Sequence, residues 1–232
     1  MNWQTVARQI KGREKEHQKL IVAVLRADGG NIFPLDLIAV GVIKRSLMLL
    51  QGFLSMLRSG NYLCAGPLLR MQLDNVLRIY AAGLFPSGSD ALKAFLEDRP
   101  LSQLKAPDGK PLTDKELTTR VGRIYPWLPQ VYTTTSGFVH FSRSAIMSTV
   151  EDLTNDGAVR VVVGPRGGRR WKSDERLAAA QAFDEATKAV LQMVYSWGHV
   201  KTVEGAKRSK FAARAATEGG QHPFHTSLQA GD

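Results

Sequence analysis

Arg70, Asp74 and Arg78 recur every four residues along an otherwise apolar stretch, GPLLRMQLDNVLRIYAAGLF, from Gly66 to Phe85. Such spacing places three side chains on one face of a helix. Charged groups in apolar surroundings must be paired, because an isolated one is costly. Two chemistries fit the stripe. One is a salt-bridge cluster that fixes helix register, built as Arg45–Asp74–Arg78 or as Arg70–Asp74. The other is a receptor for an anion: the local arginines outnumber the acid, and spare guanidinium donors suit a phosphate or a carboxylate.

His140 is the second candidate. It lies in TSGFVHFSRS with Ser136, Ser142, Ser144 and Arg143 around it. Between Val139 and Phe141 it reads either as a hydrogen-bonded core residue or as a base. An imidazole near arginines has its pKa pushed down and stays neutral, which suits a base. Metal-free RNA cleavage needs a base for the 2′-hydroxyl and a cation for the phosphorane charge. His140 with Arg70 or Arg78 would supply both. The other histidines have poorer company: His17 falls on a highly charged helix, His199 near the end of the last one, and His222 and His225 in the polar tail. No zinc-ligand set, no Ser-His-Asp elbow and no nucleotide-binding glycine fingerprint occurs, so no metal and no cofactor is expected.

A third feature is the basic run Arg160, Arg166, Arg169, Arg170 and Lys172, with Trp171 inside it and no acid between. The loop GPRGGRR lacks the lysine and hydroxyl residue of a P-loop, and Pro165 removes one amide donor. It reads as an ordinary exposed loop or as a patch for phosphates and a stacked base, formed by Arg166, Arg169, Arg170, Trp171 and Lys172.

The elements that position these residues follow from periodicity and punctuation. A mixed-charge helix over 3–28 closes at Asp28-Gly29-Gly30. A second runs from Pro34 to about Arg58, is broken by Ser59-Gly60-Asn61, and a third follows from about Tyr62 to Phe85. So short a turn makes the second and third helices pack antiparallel. Residues 45 and 75 are then about equally far from the bend, which sets Arg45 at the level of Asp74. A short helix follows in SDALKAFLED, and Thr113 with Glu116 marks a capping box. Helix is expected from Val131 to Phe141. Two short strands around Thr154-Asn155-Asp156-Gly157 suggest a hairpin at about 146–163. A last helix from Ser173 to about Val203 has an apolar face through Leu177, Phe183, Val190 and Tyr195.

The fold class expected is therefore mostly α: an antiparallel helical bundle with one small β-hairpin, a single domain over 1–204 and a flexible basic tail over 205–232. The 232 residues carry 44% hydrophobic side chains, enough for a real core, and a formal charge of +10, which favours acidic partners. The single cysteine, Cys64, excludes an internal disulfide framework, and its apolar neighbours predict a buried, inert thiol. The start lacks a secretory signal, and Lys44 and Arg45 interrupt the most membrane-like run, LDLIAVGVIKRSLMLLQGFLSML. The expectation is a cytoplasmic protein without a membrane partner.

The run from Ile43 to Phe85 resembles an uncharacterised bacterial family of helical proteins. The matching residues are Arg45, then Ala65, Leu69, Arg70, Asp74 and Tyr80 after a short turn, and later Ser136, Val139, His140 and Ser142 in an S-x-x-V-H-x-S segment. Asp74 stands where glutamate is usual, so any contact it makes must be closer. That family is similar to the HEPN-like helical proteins, abortive-infection members included, several of which are ribonucleases working as dimers. The resemblance implies a helical bundle that handles RNA or a nucleotide in phage defence, with a homodimer as its form. The usual pattern of arginine followed four to six residues later by histidine is absent, so Arg70 or Arg78 from another helix would take that arginine's place. The alternative is a non-enzymatic binding or assembly protein in which the Arg/Asp/His cluster is structural.

Overall fold

The computed structural model describes residues 1–139, 146–147, 149–153, 159–162 and 171–217, with backbone only for 151–153 and 208–217. It is a mostly helical bundle. Helix α1 spans Trp3–Arg26, α2 Pro34–Ser59, α3 Tyr62–Ala82, α4 Gly88–Leu96, α5 Asp114–Gly122, α6 Leu128–Ser136 and α7 Ser173–Thr217.

Local chemistry starts and stops these helices. The Asn2 side chain accepts from the Thr5 amide at 2.9 Å to open α1. Pro34 fills the first position of α2, and the Asp36 carboxylate accepts from the Phe33 amide at 2.8 Å. Gly60, at φ 78°, ends α2 in the left-handed region, and Asn61 caps α3 through the Cys64 amide at 3.1 Å. Thr113 accepts from the Glu116 amide at 3.2 Å and so fixes where α5 begins. That cap puts Asp114 at the first helical position, which becomes important at the site.

The tight Gly60–Asn61 turn folds α3 back on α2, α1 lies along α7, and α3 packs against α7. The core runs through all four long helices. Phe53 and Phe183 are fully buried and stacked, with ring centroids 4.0 Å apart and planes 10° apart. By length and composition α2 is apolar enough to cross a membrane; in this fold Leu50, Phe53 and Leu57 face the core, and Lys44 faces outward.

Several expectations change. Helix α6 ends at Ser136 rather than Phe141. The hydroxyls of Thr133, Thr135 and Ser136 donate to the carbonyls of Pro129, Val131 and Tyr132, a local competition that weakens helix continuation. On α7, Val194 rather than Tyr195 continues the buried face: Tyr195 is exposed and stacks on His199 at 6.4 Å. Five residues beyond Val190 is well off the helical repeat, whereas four keeps the face. Helix α7 also continues past Val203 to Thr217. Gly205 is buried against the Asp28–Gly30 turn, where a Cβ would run into the Asp28 carboxylate. That glycine serves close packing rather than helix termination. Residues 218–232 of the expected tail lie outside the described residues.

Strand β1, Val150–Leu153, pairs antiparallel with β2, Val159–Val161, with Val150 opposite Val161 and Leu153 opposite Val159. The turn marked by Asn155, Asp156 and Gly157 lies outside the described residues. Cys64 is exposed, not buried: in the first turn of α3 its neighbour Ala65 takes the inward position.

Candidate functional site

Asp74 on α3 holds three arginines. Arg78 Nη2 is 2.9 Å from Asp74 Oδ1, one turn on in the same helix. Arg45 Nη1, from α2, is 3.2 Å from Oδ2, and Arg70 Nη1 is 4.0 Å from Oδ1. The cross-helix pair follows from the antiparallel register about Gly60.

A second carboxylate, which sequence reasoning missed, completes the cluster. Asp114 at the start of α5 meets Arg78 Nη2 at 3.0 Å and Arg70 Nη2 at 3.4 Å. The Tyr132 hydroxyl of α6 donates to Asp114 Oδ2 at 2.7 Å and accepts from Arg70. The Arg70 guanidinium also lies over the Tyr132 ring, 3.4 Å from its centroid. Three guanidiniums thus face two carboxylates, leaving one cation in excess. Burial lowers the Arg70 pKa, Asp74 and then Asp114 oppose that, and Arg78 and Arg45 add to the lowering. An arginine stays charged through such a shift.

The cluster is neither sealed nor open. Arg70 is 15% exposed, whereas Arg45 is 39% and Asp114 is 44% exposed. A cleft of about 210 Å³ is lined by Arg45, Arg70, Met71, Asp74, Ser136 and Val139. On the Arg78–Asp114 side a larger cleft, about 570 Å³, adds Asp98, Arg99 and Ser102. The arginine cluster is therefore shared between two depressions. The first brings together both sequence segments singled out above, the Arg45/Arg70/Asp74 set and Ser136 with Val139.

Behind the cluster runs a polar chain through the core. His17 Nδ1 lies 2.7 Å from the Arg13 carbonyl oxygen, which can only accept, so Nδ1 carries the proton. Nε2 is then the acceptor, and Ser46 Oγ donates to it at 2.8 Å. Gln72 Nε2 donates to Ser46 Oγ at 2.7 Å and to Thr187 Oγ1 at 3.0 Å. Asn75 Nδ2 donates to Gln72 Oε1 at 3.1 Å, and Arg45 Nη1 donates to Asn75 Oδ1 at 2.7 Å. Each donor in this chain faces an acceptor when His17 is neutral. Burial lowers the His17 pKa, against a raising contribution from the Arg13 carbonyl and from Glu16 and Glu14. His17 falls on the highly charged helix α1, yet it points inward. Its side chain is fully buried, because it sits two turns from Ile10 and one from Arg13 on the side that α2 covers.

A separate ion pair closes the other end. Lys201 Nζ on α7 lies 2.9 Å from Asp36 Oδ2 and donates to the Val24 carbonyl at 2.9 Å, with both charged side chains fully buried. Trp197 Nε1 donates to Asp36 Oδ1 at 2.8 Å. Neither this pair nor the His17 chain has a spacing signature, because its members come from three or four helices.

His140, Arg166, Arg169 and Arg170 lie outside the described residues. Trp171 is half-buried and packs 6.2 Å from Tyr62, while Lys172 is exposed and its amide donates to Glu175 at the start of α7. Among the described residues, no group of three or more histidines, cysteines or acids could hold a metal ion. In comparisons with known proteins, the chain matches no family model, no curated protein and no solved structure.

Proposed function

We propose that this bundle handles RNA or a nucleotide, with a phosphate seated at the Arg45–Arg70 cleft. The observation that carries the reading is the cation excess of the cluster, with Arg45 reaching solvent at a cleft between α2, α3 and the end of α6. Two carboxylates hold the guanidiniums in place without neutralising them all, so a phosphate meets preoriented donors. The net charge of +10 favours the approach of a polyanion. His140 follows Val139, which lines this cleft, and is the residue we assign to acid–base chemistry on RNA. The phage-defence setting and the dimer rest on the HEPN-like resemblance.

The test is fluorescence anisotropy of a labelled single-stranded RNA at several salt concentrations, with a cleavage assay in parallel. Arg45→Ala should weaken binding and reduce the salt slope by about 0.7 if one phosphate contact is lost. His140→Ala should abolish cleavage and retain binding. Unchanged affinity and slope in Arg45→Ala would remove the cleft from RNA recognition.

A second reading has its own observation. Both carboxylates are paired, and Arg45 is tied through Asn75 to the buried chain. A cluster continuous with the core in this way suits a non-enzymatic assembly protein whose polar residues specify helix register. Absence of RNA or nucleotide binding by the wild-type protein would favour that reading.

A further inference from the structure

A mostly apolar depression lies away from the Arg45–Arg70 cleft, on the other side of the α3–α6 contact. It encloses about 500 Å³ between α3, α6 and the start of α7. Close-packed interiors have few voids larger than a water molecule, whereas apolar pockets for small molecules have about 300–1,000 Å³.

The space exists because both long helices present small side chains to it: Ala65 and Gly66 from α3, Ala179 and Ala182 from α7. Gly66 has a further reason to lack a side chain, since a Cβ there would lie 2.5 Å from Phe138 Cγ. The Phe138 ring occupies that position and forms one wall. Tyr62 meets Phe138 edge-on, with centroids 6.4 Å apart and planes at 82°, and meets Trp171 at a 53° tilt. Below them Phe53 is fixed by its stack on Phe183. Phe138 and Trp171, each tilted against Tyr62, offer both faces and edges to another ring.

Polar side chains in the described lining are confined to Tyr62, Gln130, Thr134, Thr135 and Glu175. The Thr135 hydroxyl already donates to the Val131 carbonyl, and the Glu175 carboxylate already accepts from the Lys172 amide. Among the described residues, no lysine or arginine lines the space. An anionic ligand would find no counter-ion among these residues, and the one carboxylate, Glu175, is already engaged by the Lys172 amide, so an uncharged ligand suits the space best.

We infer that this cavity is a binding site for an uncharged, ring-bearing small molecule, distinct from the arginine cleft. The inference stands apart from the phosphate reading, since the two sites share no residue.

The probe is N-phenyl-1-naphthylamine, an uncharged aromatic molecule whose fluorescence rises in apolar surroundings, titrated into the full chain. The wild type should show a saturable rise with one site per chain and a melting temperature that increases with probe concentration. Ala179→Leu and Ala182→Leu, made separately, fill the space and should each weaken binding about tenfold or more. Ser196→Leu, in another apolar cleft beside Trp197, and Arg45→Ala should bind as the wild type does. Circular dichroism establishes folding, and either leucine variant suffices if the other unfolds. An unsaturable or absent rise, no thermal shift at high probe, or wild-type affinity in a folded leucine variant overturns the inference.

Discussion

Nε2 of His17 accepts a hydrogen bond from the Ser46 hydroxyl at 2.8 Å, so this fully buried imidazole is held in one neutral tautomer. The hydrogen bond joins α1 to α2, and Gln72 and Thr187 extend it to α3 and α7. It gives the core a polar seam whose members must all agree on who donates.

Acidification should therefore weaken the fold. Burial holds the His17 pKa below its unfolded value near 6.5. The unfolded chain binds a proton first, so the contribution is complete above about pH 6.5 and is lost as pH falls from there toward the lowered folded pKa. Urea unfolding between pH 7.5 and 5 should show a decline that is smaller in His17→Gln. An identical decline in both proteins would assign it to other groups.

Ser46→Ala should cost about 1–3 kcal/mol at neutral pH, because it strands His17 Nε2 and one Gln72 hydrogen in the fully buried core. Urea midpoints at pH 7.5 measure this. A change below a few tenths of a kcal/mol would mean that the seam rearranges around the loss.

Asp74→Ala should destabilise by about 2–3 kcal/mol, below the range for a fully buried pair, since Arg45 keeps contact with solvent. Asp114 remains to hold Arg70 and Arg78, but nothing in the cluster replaces the carboxylate facing Arg45. In the double variant Arg45→Ala/Asp74→Ala the two effects should be non-additive. Strict additivity in denaturant titrations would contradict the pairing.

Lys201→Met should cost about 3–5 kcal/mol, because it leaves the Asp36 carboxylate buried without its cation. Lys201→Met/Asp36→Asn should recover part of that loss, the amide still reaching the Phe33 amide or Trp197. Melting temperatures of the three proteins give the comparison, and a double variant no better than the single one would show that Lys201 acts through packing alone.

Replacing Arg166, Arg169 and Arg170 with alanine should weaken RNA binding and flatten its salt dependence, as expected when phosphate contacts are removed. The Trp171 ring should keep its environment, because it packs on Tyr62. Unchanged anisotropy titrations at low and high salt would exclude the loop from the interface.

What the sequence determined by itself is local or nearly so. Apolar periodicity, the Pro34 start, the Gly60-Asn61 break and the Thr113 cap are each written within a few residues, and they yield the helices and their order. The antiparallel turn even fixed one tertiary contact, Arg45 with Asp74, because a short connection leaves the register little freedom. Distance along the chain hid the rest. Asp114 and Tyr132 join Arg70 only once α5 and α6 cross α3, and His17 becomes buried only when α2 covers its face of α1. Gly205 shows the same limit: it stands at the expected start of the flexible tail, and only the Asp28 carboxylate beside it explains a glycine that the helix passes through. A residue's type states which bonds it can make; which partner arrives is decided by how the helices pack.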